Sequence, residues 1–208
     1  MGRLLYIEAS PRKKKSSSIE VARIYLDAYR QSHPDDEIEI FDLWQRELPR
    51  FDGDVIDAKY AILHGQSHTE AQRKSWRAVE QTIADFKRAD RYLFSLPMWN
   101  FGIPYSLKHY FDVIVQPSYT FTFSPSTGYQ GLVTGKPAVI IYSRGGAYGS
   151  GTGSEALDLQ RSYMETILKF IGFHDIKSII IEPTLSSPEE KEKAIKHAKE
   201  EAIQLAQS

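Results

Sequence analysis

The 208-residue chain contains no cysteine, which excludes disulfides, a thiolate metal site and a thiol nucleophile together. It has no apolar run approaching the roughly 20 residues that cross a bilayer. Its start, MGRLLYIEAS, lacks the basic flank and apolar core of a signal peptide. A cytoplasmic protein without membrane contact is expected. Excess charge of one sign is also missing: 26 Lys and Arg against 27 Asp and Glu leave a formal charge of −1, which argues against general nucleic-acid binding. The basic run at 12–15 is a local exception. No Gly-x-Gly-x-x-Gly or Walker sequence occurs, so the usual cradles for a dinucleotide pyrophosphate or a triphosphate are not indicated. The six histidines are scattered along the chain and are expected at the surface. His64 and His68 stand four apart but lack a third ligand nearby, and no metal site is expected.

What the chain does contain is an alternation of short apolar strands and amphipathic helices. Strands are predicted at 4–9, 37–43, 92–96, 138–143 and 176–181, two of the last three as nearly continuous β-rich apolar runs of the kind buried in parallel sheets. Helices are predicted at 16–32, through a long polar region at 54–87, and at 105–115, 154–171 and 188–205. Gly172 should stop the fourth of these, and Ser187 with Glu190 should cap the last. With 41% apolar content, one domain over 1–208 is the default. The pattern predicts an α/β doubly wound three-layer sandwich: a five-stranded parallel sheet in the flavodoxin-like order 2-1-3-4-5, with helices on both faces. The irregular insertion at 116–136 should form a small hairpin near the site.

Ligands of doubly wound sheets sit beyond the carboxyl ends of the strands, so the loops after the first, third and fourth strands should converge. The first, SPRKKKSSS from Ser10, runs into a helix where Ser17 and Glu20 have capping-box spacing. Free amides, serine hydroxyls and the helix dipole there suit a single phosphate monoester. Lys13, Lys14 and Lys15 either add positive potential or are simply solvated, the second being favoured. The loop at 97–104 offers Trp99, Asn100, Phe101 and Gly102: flat apolar surfaces, an amide and close backbone approach. Pro104 suits the first turn of the helix that follows. These aromatics could instead plug the top of the sheet. The third loop, SRGGAYGSGTGS, carries five glycines that let backbone amides face a ring edge, or simply turn. Together the three loops imply a flat polar ring carrying one phosphate.

Three ordered motifs, SPRKKKSSS, PMWNFGIPYSLKHYFD and GLVTGKPAVIIYSRGG, resemble the FMN-dependent NADH-azoreductases within the flavodoxin-like NAD(P)H:quinone reductases, over nearly the whole chain. By position, the resemblance places Ser10, Ser16, Ser17 and Ser18 at the FMN phosphate. It places Met98, Trp99, Asn100 and Phe101 along the isoalloxazine and ribityl, and Ser143, Arg144, Gly145 and Gly146 at the pyrimidine edge. Three features depart from the family pattern. Trp99 stands where many relatives have tyrosine, Tyr148 lies near where some have histidine, and the lysine run replaces a more neutral loop. Tyr148 either takes over as a hydrogen-bonding or proton-donating group or is a loop aromatic.

The resemblance implies a homodimer with FMN at the subunit boundary, and NADH or NADPH as donor to quinone and azo acceptors in ping-pong fashion. The cofactor carries the chemistry, and no catalytic triad is needed. Amides of Arg144, Gly145 and Gly146 would stabilise charge developing on the ring, by about a few kcal/mol. Candidate acceptor walls are Trp99, Phe101, Tyr119, Phe121 and Phe123; the last three are equally readable as core or subunit interface. Two other readings stand beside this one. An electron-carrier flavodoxin would not oxidise NADH directly and tends to be strongly acidic, whereas this chain is near neutral. A flavin-free regulatory protein binding another phosphate ligand would take up no FMN.

Overall fold

Strands β1 (Arg3–Glu8), β2 (Glu37–Asp42), β3 (Arg91–Pro97), β6 (Ala138–Ser143) and β7 (Ile176–Ile181) form one parallel sheet in the order β2-β1-β3-β6-β7. The computed structural model describes residues 1–64, 66–67 and 69–207. Helices are α1 (Ser17–Ser32), α2 (Gly53–Leu63), α3 (Glu70–Lys87), α4 (Tyr105–Ile114), α5 (Leu159–Ile171) and α6 (Pro188–Ala206). The insertion before β6 supplies two further strands, β4 (Phe121–Ser124) and β5 (Gly128–Gly131), paired as an antiparallel hairpin. These two strands shift the numbering of the sheet from the expected 2-1-3-4-5 to 2-1-3-6-7. Among the described residues no helix is long and apolar enough to cross a membrane.

The two-residue period of β1 decides which helices cover which face. Leu4 and Tyr6 join Leu93, Ile141 and Ile179 in a cluster with Ala22, Leu26, Ala198 and Ala202, so α1 and α6 close one side. Leu5 and Ile7 join Phe94, Ile140 and Tyr142 on the other, beneath Val79 and Phe86 of α3, Leu107 and Phe111 of α4, and Met164 and Leu168 of α5. Helices on both faces and a wholly parallel sheet account for the apolar runs in the central strands.

Three predicted elements are corrected. The region 54–87 is two helices, because Thr69 starts α3 afresh with a reciprocal capping box to Gln72. Helix α1 is capped by Ser16 rather than Ser17: the Ser16 hydroxyl accepts from Ile19 N, while Glu20 reaches Lys199. The fourth predicted helix starts at Leu159, since Asp158 takes the cap and 155–157 form a 3₁₀ turn. Gly172 ends α5 at a φ of 116°, as its position suggests, and Ser187 with Glu190 forms the expected box on α6. Pro104 lies one residue earlier than expected, at the cap of α4.

The hairpin lies away from the expected place. Gly131 abuts Ile171 and Gly172 at the C-terminal end of α5, and the Phe121 ring packs at a tilt against Phe170, 4.7 Å between centroids. Because α5 runs back across the parallel sheet before feeding β7, its C-terminus marks the amino edge of the strands. His68 of the histidine pair lies outside the described residues. Among those described, no group of three or more His, Cys, Asp or Glu could hold a metal ion.

Candidate functional site

At the carboxyl edge, ladder hydrogen bonds continue past the strands and set three loops side by side. Ala9 N donates to Ser95 O at 2.9 Å, Met98 N to Ser143 O at 2.8 Å, and Arg144 N to Ile181 O at 3.0 Å. In the first loop Ser10 and Ser18 are wholly buried and Ser16 nearly so, with the Ser16 and Ser18 hydroxyls 3.1 Å apart. Ser17 and Ser18 open α1, so their amides have no intrahelical acceptor. Buried hydroxyls, helix-start amides and the dipole make an anion site here.

Lys13 departs from both readings of the lysine run. Its ammonium folds back over the strand ends to Glu8 Oε1 at 2.7 Å and to Asp42 Oδ2. Burial alone would lower the Lys13 pKa, but the Asp42 and Glu8 carboxylates outweigh it and hold the group above its usual range. Lys14 and Lys15 are exposed.

The second loop closes as a tight turn in which Trp99 and Gly102 exchange both backbone hydrogen bonds, at 3.0 and 2.9 Å. The two central residues, Asn100 and Phe101, have φ values of 47° and 69°. Left-handed backbone is common for Asn and costly for Phe, so the turn holds its conformation against local preference. Trp99 packs against Trp44 and Tyr105, at 5.8 and 6.1 Å between ring centroids. A groove of about 470 Å³ runs along this turn, lined in part by Trp99, Asn100, Ile103, Tyr105 and Tyr163.

In the third loop, the Arg144 side chain is a buried fastener. It bonds Asp158 at 2.8 Å, Glu182 at 3.3 Å and Gln160 Oε1 at 3.1 Å, with its guanidinium 5.4 Å from the Tyr142 ring centre. Glu182 also accepts from the amides of Tyr148 at 3.0 Å and Gly149 at 3.1 Å. The loop is thereby fixed, and the Tyr148 ring sits edge-on to Phe101 at 6.3 Å. Since Arg144 N is committed to Ile181 O, Gly145 and Gly146 carry the loop amides left for a ring edge.

The structure thus gathers Ser10, Ser16, Ser17 and Ser18 in one loop, Met98, Trp99, Asn100 and Phe101 in the next, and Ser143, Gly145, Gly146 and Tyr148 in the third. Tyr119, Phe121 and Phe123 stand apart within one chain. Tyr119 donates to Glu80 and receives from Trp76 on α3, and its carbonyl meets Lys87 at the far end of that helix. Phe121 and Phe123 pack with Tyr129 on the hairpin. Trp44 was missed by the sequence reading: its indole donates to Ala9 O at 3.1 Å and backs Trp99. Its place just past β2 was the available signal, since that loop opens on the same edge.

Comparison with known proteins finds relatives over the whole length of the chain. A family model described as "Flavodoxin-like fold" matches residues 2–206. An FMN-dependent NADH:quinone oxidoreductase of Desulfotalea psychrophila is 52% identical over 206 residues, covering 99% of this chain and 97% of the relative. One from Nitratidesulfovibrio vulgaris is 44% identical over 207 residues, covering 99% of each. The crystal structure of azoreductase from Bacillus anthracis strain Sterne superposes with a TM-score of 0.92 at 27% identity, covering 100% of this chain and 99% of that one. An FMN-dependent NADH-azoreductase of the Ames Ancestor strain, solved in complex with FMN, gives a TM-score of 0.88 at 28% identity over 99% of this chain and 100% of its own. The chain therefore belongs to the family of flavodoxin-like FMN-dependent NADH:quinone oxidoreductases and azoreductases.

Proposed function

We propose that this chain is a cytoplasmic, homodimeric FMN-dependent NADH:quinone oxidoreductase that also cleaves azo bonds, built as one flavodoxin-like domain over 1–208. The observation that carries the reading is the convergence of three loops of different chemistry on one sheet edge: buried serine hydroxyls, a constrained aromatic turn and a fixed glycine loop. The residues present fit FMN. The first loop offers buried hydroxyls and helix-start amides suited to a single phosphate dianion, and the strained Asn100–Phe101 turn is the kind of backbone maintained where a ligand is aimed.

FMN, when bound, supplies two-electron transfer from NADH to a quinone or azo acceptor, and two such cycles, four electrons, split an azo bond completely. The chain does the positioning. Ser10, Ser16, Ser17 and Ser18 would hold the phosphate, and Met98, Trp99, Asn100 and Phe101 would lie along the ring and ribityl. The Ser143 carbonyl already holds Met98 N, tying that wall to the third loop. Gly145 and Gly146 amides would meet the pyrimidine edge, where donors fixed by Arg144 and Glu182 need little rearrangement as negative charge grows. Trp99, Phe101 and Tyr148 would border the acceptor and exclude water. Tyr119, Phe121 and Phe123, at the opposite edge of their own sheet, would serve an acceptor only across a subunit boundary.

Donor and acceptor sharing one face would react in turn. Initial-rate plots of NADH oxidation at several quinone concentrations should give parallel lines. Intersecting lines would remove the shared-face mechanism, and a chain that oxidises no NADH while shuttling electrons between other proteins would favour the electron-carrier alternative.

A further inference from the structure

We propose that Lys13 is a positioning residue for the FMN phosphate: gripped by Glu8 and Asp42, it holds the backbone that sets Ser16 and Ser18 in place. This inference rests on the FMN reading above. Lys13 has a φ of 50°, a left-handed conformation that a lysine does not favour unaided. Its side chain is tied to the ends of two neighbouring strands, β1 through Glu8 and β2 through Asp42. Its carbonyl accepts from Ser16 N at 3.0 Å, and Ser16 in turn caps α1 and meets the Ser18 hydroxyl. A path from the strand ends to the Ser16 and Ser18 hydroxyls therefore runs through this residue.

Electrostatics favour a strut over a ligand. One ammonium against two carboxylates leaves the trio with a surplus of negative charge, so it supplies no net attraction to a phosphate dianion. The trio is also joined to the ring side of the site. The other Asp42 oxygen accepts from Trp44 N at 2.9 Å, and the Trp44 indole holds Ala9 O and backs Trp99. The exposed Lys14 and Lys15 have no comparable tie among the described residues.

The two roles predict opposite signs. The FMN-stripped full-length chain is titrated with FMN and with riboflavin, which lacks the phosphate, following flavin fluorescence. As a strut, Lys13→Met should weaken FMN about tenfold or more, the scale of losing charge-assisted hydrogen bonds, while leaving riboflavin unchanged. Lys13→Arg should restore FMN binding, and Glu8→Gln and Asp42→Asn should each weaken it. As a direct phosphate ligand, Lys13 would be released by Glu8→Gln or Asp42→Asn, and FMN would bind more tightly; that result overturns the proposal, as does an indifferent Lys13→Met. Should Lys13→Met unfold, the sign of the Glu8→Gln effect decides alone. A wild-type chain that takes up neither flavin fails the FMN reading itself, whereas one that binds FMN regardless of Lys13 fails only the strut.

Discussion

Asn100 combines two properties that single substitutions can separate. Its left-handed backbone holds the Trp99–Gly102 turn, and its exposed amide is placed to meet a ring edge. Asn100→Gly keeps the first and removes the second, while Asn100→Ala removes both and adds about 1 kcal/mol of backbone strain. If the amide meets the flavin, both variants should weaken FMN binding, alanine the more. A glycine variant with unaltered flavin affinity would confine Asn100 to the turn. Much of the site at this scale was legible, because serine, glycine and aromatic residues at strand ends have few other reasons to cluster. Arg144 was not, since its fastening depends on Asp158, Gln160 and Glu182, which only the folded chain brings together. Lys13 escaped for the same reason: its two carboxylates belong to the ends of different strands.

At the scale of elements, the β4–β5 hairpin is held by backbone contact where it meets α5. A Cβ on Gly131 would lie 2.2 Å from Gly172 N and 2.3 Å from Ile171 C, neither able to swing aside as a side-chain tip could. Gly131→Ala should therefore cost about 3 kcal/mol, the upper range for overpacking, read as a lower urea midpoint. An unchanged midpoint would mean that the hairpin docks loosely. The sequence signalled a hairpin through the aromatic alternation of TFTF and the turn residues after it, but not its location. That depends on the close fit of two glycines 41 positions apart in the chain. Helix boundaries were legible where a cap was unambiguous, as at Ser187. They were misread where adjacent serines competed at the start of α1, or where Thr69 restarted a helix inside a continuous polar pattern.

The whole molecule carries an alkaline limit in its core. Burial holds the Tyr6, Tyr92, Tyr110 and Tyr142 phenols well above their usual range, and pushes Tyr25 up to about 12. A raised phenol pKa means that above about pH 10 the unfolded chain loses protons the folded chain keeps. Stability is thus intact below that pH and falls above it, by about 1.4 kcal/mol per pH unit for each such tyrosine. Urea midpoints measured from about pH 9 to about pH 11 should drop steeply, with the tyrosinate absorbance of these buried phenols appearing only on unfolding. Ionisation of these buried phenols at about pH 10 while the chain is still folded would contradict this. Topology was the most legible feature at this scale, because right-handed crossovers leave few ways to arrange alternating strands and helices. The central claim, that the three loops of the carboxyl edge hold one FMN, is tested by denaturing the purified protein and identifying what it releases. FMN, close to one per chain and bleached by NADH under anaerobic conditions before release, is the predicted result. FAD, or a colourless protein that takes up no added FMN, would contradict it.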